Sequence, residues 1–318
     1  MDLRHMRHFV AVAEELHFGN AARRLNMAQP PLSQSIRRLE VELGVDLFDR
    51  TRRSVELTDA GAVFLEEARR TLMQAELARK LAQRAANRAL EVQVSFVGPA
   101  LYRVLPSLLL EYRKVRPDAN VRLFERASPD QIEGLAAGDF EVALTTAAIG
   151  EVPGCETLLV EQAPFVAAVP ADWPIAGRDS ISLAELAELP FIRTPSQYRS
   201  HSTETLAMFK SIGAMPPVVQ EATQTNTTLS LVGASLGWSF VTATAAYIQP
   251  RNVRLLPLSD KNLPHAYWQL LMVWRPLQLS PAAARFVEVA QAYIHANPQL
   301  VTKRTPGDAL AGYRAGRV

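Results

Sequence analysis

Six residues between positions 29 and 37 have side chains suited to reading nucleic-acid bases. Gln29 and Gln34 can each pair bidentately with adenine, Ser33 accepts several partners, and Arg37 can grip guanine. The rings of Pro30 and Pro31 can pack on a thymine methyl. At 100° per residue, Pro30, Ser33, Gln34 and Arg37 fall on one side of a helix, with Leu32, Ile36 and Leu39 opposite. Two prolines are tolerated in a first helical turn, where their missing N–H groups have no intrahelical use. They also remove two amides that could have held a phosphate, so backbone docking must come from side chains or other segments.

That row needs a frame. Leu3, Met6, Phe9, Ala13 and Leu16 recur at helical steps and predict a first helix with one buried stripe. Ala21, Ala22 and Leu25 form the inner face of a second, and 26–28 are the turn before the proline-led helix. Residues 47–58 read as two short strands around a basic tip, a wing with Arg50, Arg52 and Arg53 placed for phosphates or the minor groove. Bulk charge does not decide the matter: residues 1–58 hold nine Arg and eight acids, a balance of +1. The alternative is a solvated helix and hairpin with no partner, since each of these residues is common on surfaces.

The segments LRHMRHFVAVAEELHFGNAARRLNMAQPPLSQSIRRLEVELGVDLFDR and RSVELTDAG resemble the LysR-type transcriptional regulators, and the likeness extends more loosely to about residue 295. The resemblance implies an α/β protein with an all-α winged helix-turn-helix head and a two-lobed, periplasmic-binding-protein-like effector domain. By matching position, Gln29, Pro30, Ser33 and Gln34 would face bases and Arg53 the DNA backbone. Many relatives have Arg where this chain has Gln34, which removes one charged contact. The implied activity is regulation of transcription, as activator or repressor, modulated by a small organic acid or aromatic catabolite. Implied partners are double-stranded DNA at an interrupted palindrome and further copies of the chain, as a homodimer through linker helices and a homotetramer beyond it. RNA polymerase is a further candidate partner, and no cofactor or metal is implied.

Composition agrees with this class. The chain has 318 residues, suiting two or three domains, with 48% hydrophobic and 21% charged residues and a net charge of +2. A single cysteine, Cys155, excludes an intramolecular disulfide and fits a reducing cytosol, and no signal peptide or membrane-spanning run is visible. The expected location is the cytoplasm, at the nucleoid. The expected domains are the head over 1–58, a linker helix over 59–89 and the effector domain over 90–297. Within the last, lobe I takes 90–162 and 268–297 and lobe II takes 163–267, with crossings near Gln162 and His265. Residues 298–318 lack periodicity and read as a frayed tail.

Thr58 is a good N-cap for the linker helix, whose stripe runs through Val63, Leu65, Ala68, Leu72, Ala75, Leu77 or Ala78, Leu81 and Ala85. Pairing with a second copy would bury that stripe; packing within the domain is the alternative. Beyond 89, strands at 92–97, 120–125 and 141–145 alternate with helices at 101–115 and from Ser128, a βαβαβ unit with a parallel sheet. Ser128 and Gln131 have capping-box spacing. Strands at 165–169, 191–194, 218–222, 238–241, 253–258 and 267–274 follow, with helices starting near Ser182, Ser202, Thr225 and Ser280.

Ligands of open α/β sheets collect beyond the strands' C-terminal ends. Those positions hold Gly98, Pro99 and Ala100, Ser128, Thr146, Ser196, His201 and Ser202, and Thr225. The set is rich in hydroxyls and amides, lacks a carboxylate and so favours a small anion; routine N-capping explains Ser128 and Ser202 equally well. The stretch 95–106 is similar to the family branch sensing benzoate, muconate and chlorinated muconates. That branch usually has Ser or Thr at Pro99 and Thr at Ser128, and some relatives have Arg at Thr146. His201, with Arg199, is a candidate for the absent positive charge.

Three other functions compete. Gly233-Ala234-Ser235-Leu236-Gly237 matches the G-x-S-x-G nucleophile elbow of a hydrolase. An elbow needs strand before Ser and helix after; here the order is inverted, and Gly237 reads as a positive-φ turn. A secreted solute receptor would not explain the first 58 residues. A constitutive DNA-binding protein without a ligand remains open.

Overall fold

In a computed structural model, residues 1–50, 55–86, 91–146, 153–195 and 199–314 are described. The chain divides into two compact units, 1–86 and 87–318.

The first unit is built on three short helices: α1 (Leu3–Glu15), α2 (Phe18–Arg24) and α3 (Gln29–Leu43). Met6, Phe9, Val12, Ala21, Ala22, Leu32, Ile36 and Leu39 fill its core. Leu3 and Leu16, expected in the α1 stripe, are exposed because they sit at the helix ends, Leu16 in the left-handed C-cap at φ 45°. Strands β1 (Phe48–Arg50) and β2 (Val55–Leu57) pair antiparallel as the wing. Helix α4 (Asp59–Ala86) follows, 28 residues or roughly 42 Å.

Helix α4 starts where the sequence places it. The Thr58 hydroxyl accepts from Gly61 N–H at 3.0 Å and donates to the Asp46 carbonyl at 2.8 Å. Its expected stripe, however, is divided. Leu65, Ala68 and Leu72 pack into the head's own core, while Val63 is exposed; Met73, outside the stripe, is exposed as well. Gly61 is where the helix touches the wing: a Cβ there would lie 2.1 Å from the Leu47 carbonyl oxygen. Helix propensity alone favours alanine over glycine by about 1 kcal/mol. Backbone contact outweighs it, so Gly61→Ala is expected to destabilise the head by about 1–3 kcal/mol in denaturant unfolding, opposite in sign to propensity.

The second unit begins with β3 (Glu91–Phe96), a 3-10 turn (Gly98–Tyr102), α5 (Val104–Val115), β4 (Asn120–Glu125), α6 (Ser128–Ala137) and β5 (Val142–Thr146). β3 pairs parallel with both β4 and β5, giving the expected parallel βαβαβ unit. Next comes β6 (Glu156–Pro170), far longer than the 165–169 read from sequence. Its first part pairs antiparallel with β11 (Tyr267–Trp274), and its end pairs with β9 (Ser239–Thr242) and β10 (Val253–Pro257). One strand therefore belongs to both lobes. A register shift opposite Leu270 and Leu271 falls at the crossover, where Glu161 faces Leu270. Such a bulge bends a strand and strengthens its twist.

Lobe II also contains α7 (Leu183–Ala187), β7 (Phe191–Arg193), α8 (Arg199–Ser211), β8 (Val218–Glu221), α9 (Thr225–Gly233) and a 3-10 turn (Ala243–Ile248). Ser182 opens α7 with a reciprocal capping box to Glu185. Helix α10 (Pro281–Ala296) is capped by Ser280 and packs on α5 and β3. The expectation of a frayed tail is overturned: Pro298–Leu300 forms a turn and Pro306–Arg314 a further helix, α11, with Ala309, Leu310 and Tyr313 buried. Among the described residues no helix is long and apolar enough to cross a membrane.

Candidate functional site

The head holds its exposed row rigidly from behind. Gln29, Pro30, Pro31, Gln34 and Arg37 are exposed and Ser33 half-buried, while Leu32, Ile36 and Leu39 are fully buried. His17 caps α2, its Nδ1 accepting from the Gly19 and Asn20 amides at 3.1 Å. Asn26 takes the left-handed turn at φ 52°, a conformation Asn tolerates better than most residues. Ala28 then enters α3 without a side-chain cap. Ser35, on the inner side of α3, meets His8 Nδ1 at 2.7 Å; burial, aided by Arg4, holds that imidazole below its ordinary pKa.

Sequence reading missed Glu40. It is buried, and its Oε1 accepts from the Leu47 and Phe48 amides at 3.1 and 3.2 Å. The end of the proline-led helix is thereby tied to the root of the wing. Phe48 also packs on Phe9 and Phe18, with ring centroids 5.2 and 5.9 Å apart. Glu14 joins α1 to α2 and α4, meeting Arg69 at 2.9 Å and Arg24 at 2.7 Å, and Arg69 first, then Arg24, holds its carboxyl below the usual range. Arg50 ends β1, but its side chain, and all of Arg52 and Arg53, lie outside the described residues.

In the second unit, the C-terminal ends of β3, β4 and β5 share one sheet edge. Gly98, Pro99 and Ala100 form the turn after β3, with Ala100 fully buried. Ser128 does not cap α6: the N-cap is Ala127, which offers no side chain. The Ser128 hydroxyl lies 3.2 Å from that of Thr146, and Gln131 is turned inward to donate to the Leu144 carbonyl at 3.2 Å. Tertiary partners on β5 take both groups that the capping box would have used. The neighbouring Thr145 hydroxyl is buried with no hydrogen-bond partner among the described residues.

Lobe II meets this edge from across the domain. Burial raises the pKa of the Tyr102 phenol, and the Thr225 side chain opposes the rise. A Cβ on Gly98 would lie 3.1 Å from Glu125 Oε1 and 3.5 Å from Gln224 Oε1. Gly98 therefore sits between an acid at the end of β4 and an amide at the N-cap of α9. A carboxylate, that of Glu125, thus stands beside a set read from the sequence as holding none. Glu125 is the last residue of β4, three positions before Ser128, and the last residue of a strand is itself such a position. Ser196 lies outside the described residues, and of His201 and Ser202 only the backbone is placed, in the first turn of α8.

The elbow-like segment is a different object. Ser235 follows α9 and precedes β9, and its hydroxyl donates to the Asp172 carboxylate at 2.9 Å. Positive φ falls on Ser235, at 57°, and not on Gly237. Gly237 is required for another reason: a Cβ there would lie 2.6 Å from the Pro190 carbonyl oxygen. Among the described residues no group of three His, Cys, Asp or Glu could hold a metal.

Comparison with known proteins matches both units. The family described as bacterial regulatory helix-turn-helix protein, lysR family, matches residues 3–62, and the LysR substrate binding domain matches residues 85–294. The chain is similar to the HTH-type transcriptional regulator AlsR of Bacillus subtilis, with 36% identity covering 91% of this chain and 95% of that one. It is similar to the Hca operon transcriptional activator HcaR of Escherichia coli, with 33% identity over 92% and 97% of the two chains. Among solved structures, CbnR complexed with its target DNA aligns with a TM-score of 0.60 and 30% identity, covering 92% of this chain and 99% of that one.

Proposed function

Since the chain belongs to the LysR family of DNA-binding transcriptional regulators with an effector-binding domain, we propose that it controls a promoter in response to a small organic acid or aromatic catabolite. The observation that carries the reading is the exposed row Gln29, Pro30, Ser33, Gln34 and Arg37 on α3, backed by buried Leu32, Ile36 and Leu39. Side chains of this kind read base edges in the major groove. Arg50, Arg52 and Arg53 of the wing take the phosphates or the minor groove. CbnR, a relative seen in complex with its target DNA, supports DNA binding here.

Two heads are joined through their linker helices. The first half of α4 is occupied by its own head, so pairing falls to the exposed side around Met73 and the turns beyond it. Two-fold symmetry then asks for an interrupted palindrome with half-sites spaced by helical turns. Dimers of dimers, and contact with RNA polymerase in the cytoplasm, complete the reading. The effector lies between Gly98, Ser128 and Thr146 on one lobe and Gln224 and Thr225 on the other. The hydroxyls and the amides opening α6 and α9 meet its carboxylate, and Glu125 accepts from any hydroxyl it carries. Ligand-linked coupling of about 1–3 kcal/mol is enough to redirect promoter occupancy.

A footprint of the purified protein upstream of its own gene, repeated with candidate acids, tests this directly. A protected palindrome whose boundaries change with one acid is the expected result. Protection that no acid or catabolite alters would leave a constitutive DNA binder. Gln29→Ala should relax base preference, whereas Arg53→Ala should weaken all sequences alike and lower the salt slope by about one unit. Identical behaviour of the two variants would show that base and phosphate contacts are wrongly assigned.

A further inference from the structure

Residues beyond 294 fall outside the matched effector-domain family, yet they are built into the domain. The chain leaves α10, which packs on lobe I, and returns over lobe II. There Ala309, Leu310 and Tyr313 of α11 join Val166, Ala168, Leu229, Val253 and Leu255 in one apolar cluster. Thr305 caps the helix, accepting from Asp308 N–H at 3.2 Å, and the Tyr267 hydroxyl donates to the Arg304 carbonyl at 3.0 Å. The last turn reaches a second place. Tyr313 lies under the Arg103 guanidinium, 5.1 Å from carbon to ring centroid, and beside Tyr247 at 5.5 Å.

Arg103 opens α5 in lobe I and donates through Nε to Glu161 at 2.7 Å. Glu161 stands at the crossover of β6, opposite the register shift, and is 0% exposed; Arg103 is 7% exposed. Lobe I, the crossover, lobe II and the tail thus converge on one ion pair. We propose that α11 is a strap across the hinge: by stacking Tyr313 on Arg103 over the buried Arg103–Glu161 pair, it holds the two lobes at one angle, and its release lets that angle change. Two crossovers alone would leave the lobes free to rotate about β6 and the start of β11. The third connection opposes rotation because turning the lobes must pull a cation off an aromatic face and admit water to the pair.

The test uses the full chain without DNA or effector. Spin labels on Leu277→Cys in lobe I and Asp179→Cys in lobe II, with Cys155→Ser, report the inter-lobe distance when labelled protein is diluted into unlabelled protein. Tyr313→Leu should broaden the distance distribution and speed amide exchange at 159–163 by about tenfold or more. Tyr313→Phe, which keeps the ring, should behave as the parent. Leu229→Ala removes a side chain from the same apolar cluster but leaves Tyr313 stacked on Arg103, and should lower stability while the distribution stays narrow. A parental distribution for Tyr313→Leu, or equal broadening by Leu229→Ala, would overturn the proposal. Should Tyr313→Leu fail to fold, Arg103→Lys decides: it keeps the charge for Glu161 but loses the flat face that stacks. Broadening supports the strap and a parental width refutes it.

Discussion

Replacing Arg103 with methionine is expected to destabilise the effector domain by about 3–5 kcal/mol, the usual cost of removing one partner of a buried pair. Burial pushes the Glu161 carboxyl above its ordinary pKa, and Arg103 is the group that opposes this. Without the guanidinium, Glu161 must either stay ionised in an apolar setting or take up a proton. Losing the stack on Tyr313 costs about 1 kcal/mol more. The double variant Arg103→Met, Glu161→Leu should recover most of the loss, because well-packed apolar residues often replace a buried ion pair at no cost. Urea unfolding of the three proteins checks this. Equal stabilities of the single and double variants would show that the pair is hydrated in solution.

Legibility from sequence followed the range of the interactions. The proline-led helix, its exposed row and the cap at Thr58 follow from local spacing, and so were readable. So was the parallel βαβαβ order, because each element there obeys its own period. Ser128 shows the limit of a local rule: its spacing to Gln131 is that of a capping box, but Thr146 and Leu144 on β5 compete for both side chains and win. Glu40, Gly61, Gly98 and Gly237 owe their roles to backbone or side chains distant in sequence or around a turn, which no window detects. Helix α11 escaped for a different reason. Its buried residues Ala309, Leu310 and Tyr313 span barely more than one turn, and Pro306 and Gly307 mimic a breaker. The Arg103–Glu161 pair joins residues 58 apart and is invisible until β6 is seen to cross both lobes.

Stability of the parent protein should decline between about pH 5 and 8 by more than that of Glu204→Gln, on account of one carboxyl group. Glu204, in the second turn of α8, is largely buried; one of its oxygens is buried without a hydrogen-bond partner among the described residues. Burial alone raises its pKa from 4.5 to about 8. Below pH 4.5 the acid is protonated in both folded and unfolded chains and costs nothing. As pH rises, the unfolded chain releases the proton first, so the native state binds more protons and loses stability until its own carboxyl ionises near pH 8. The full span, at about 1.36 kcal/mol per unit, is on the order of 5 kcal/mol. Glutamine fills nearly the same volume and does not titrate. Glu204→Gln should therefore be more stable than the parent at pH 8, equal to it near pH 4.5, and flatter between. Parallel melting-temperature profiles for the two proteins across that range would mean that Glu204 is solvated and ionised in the native state.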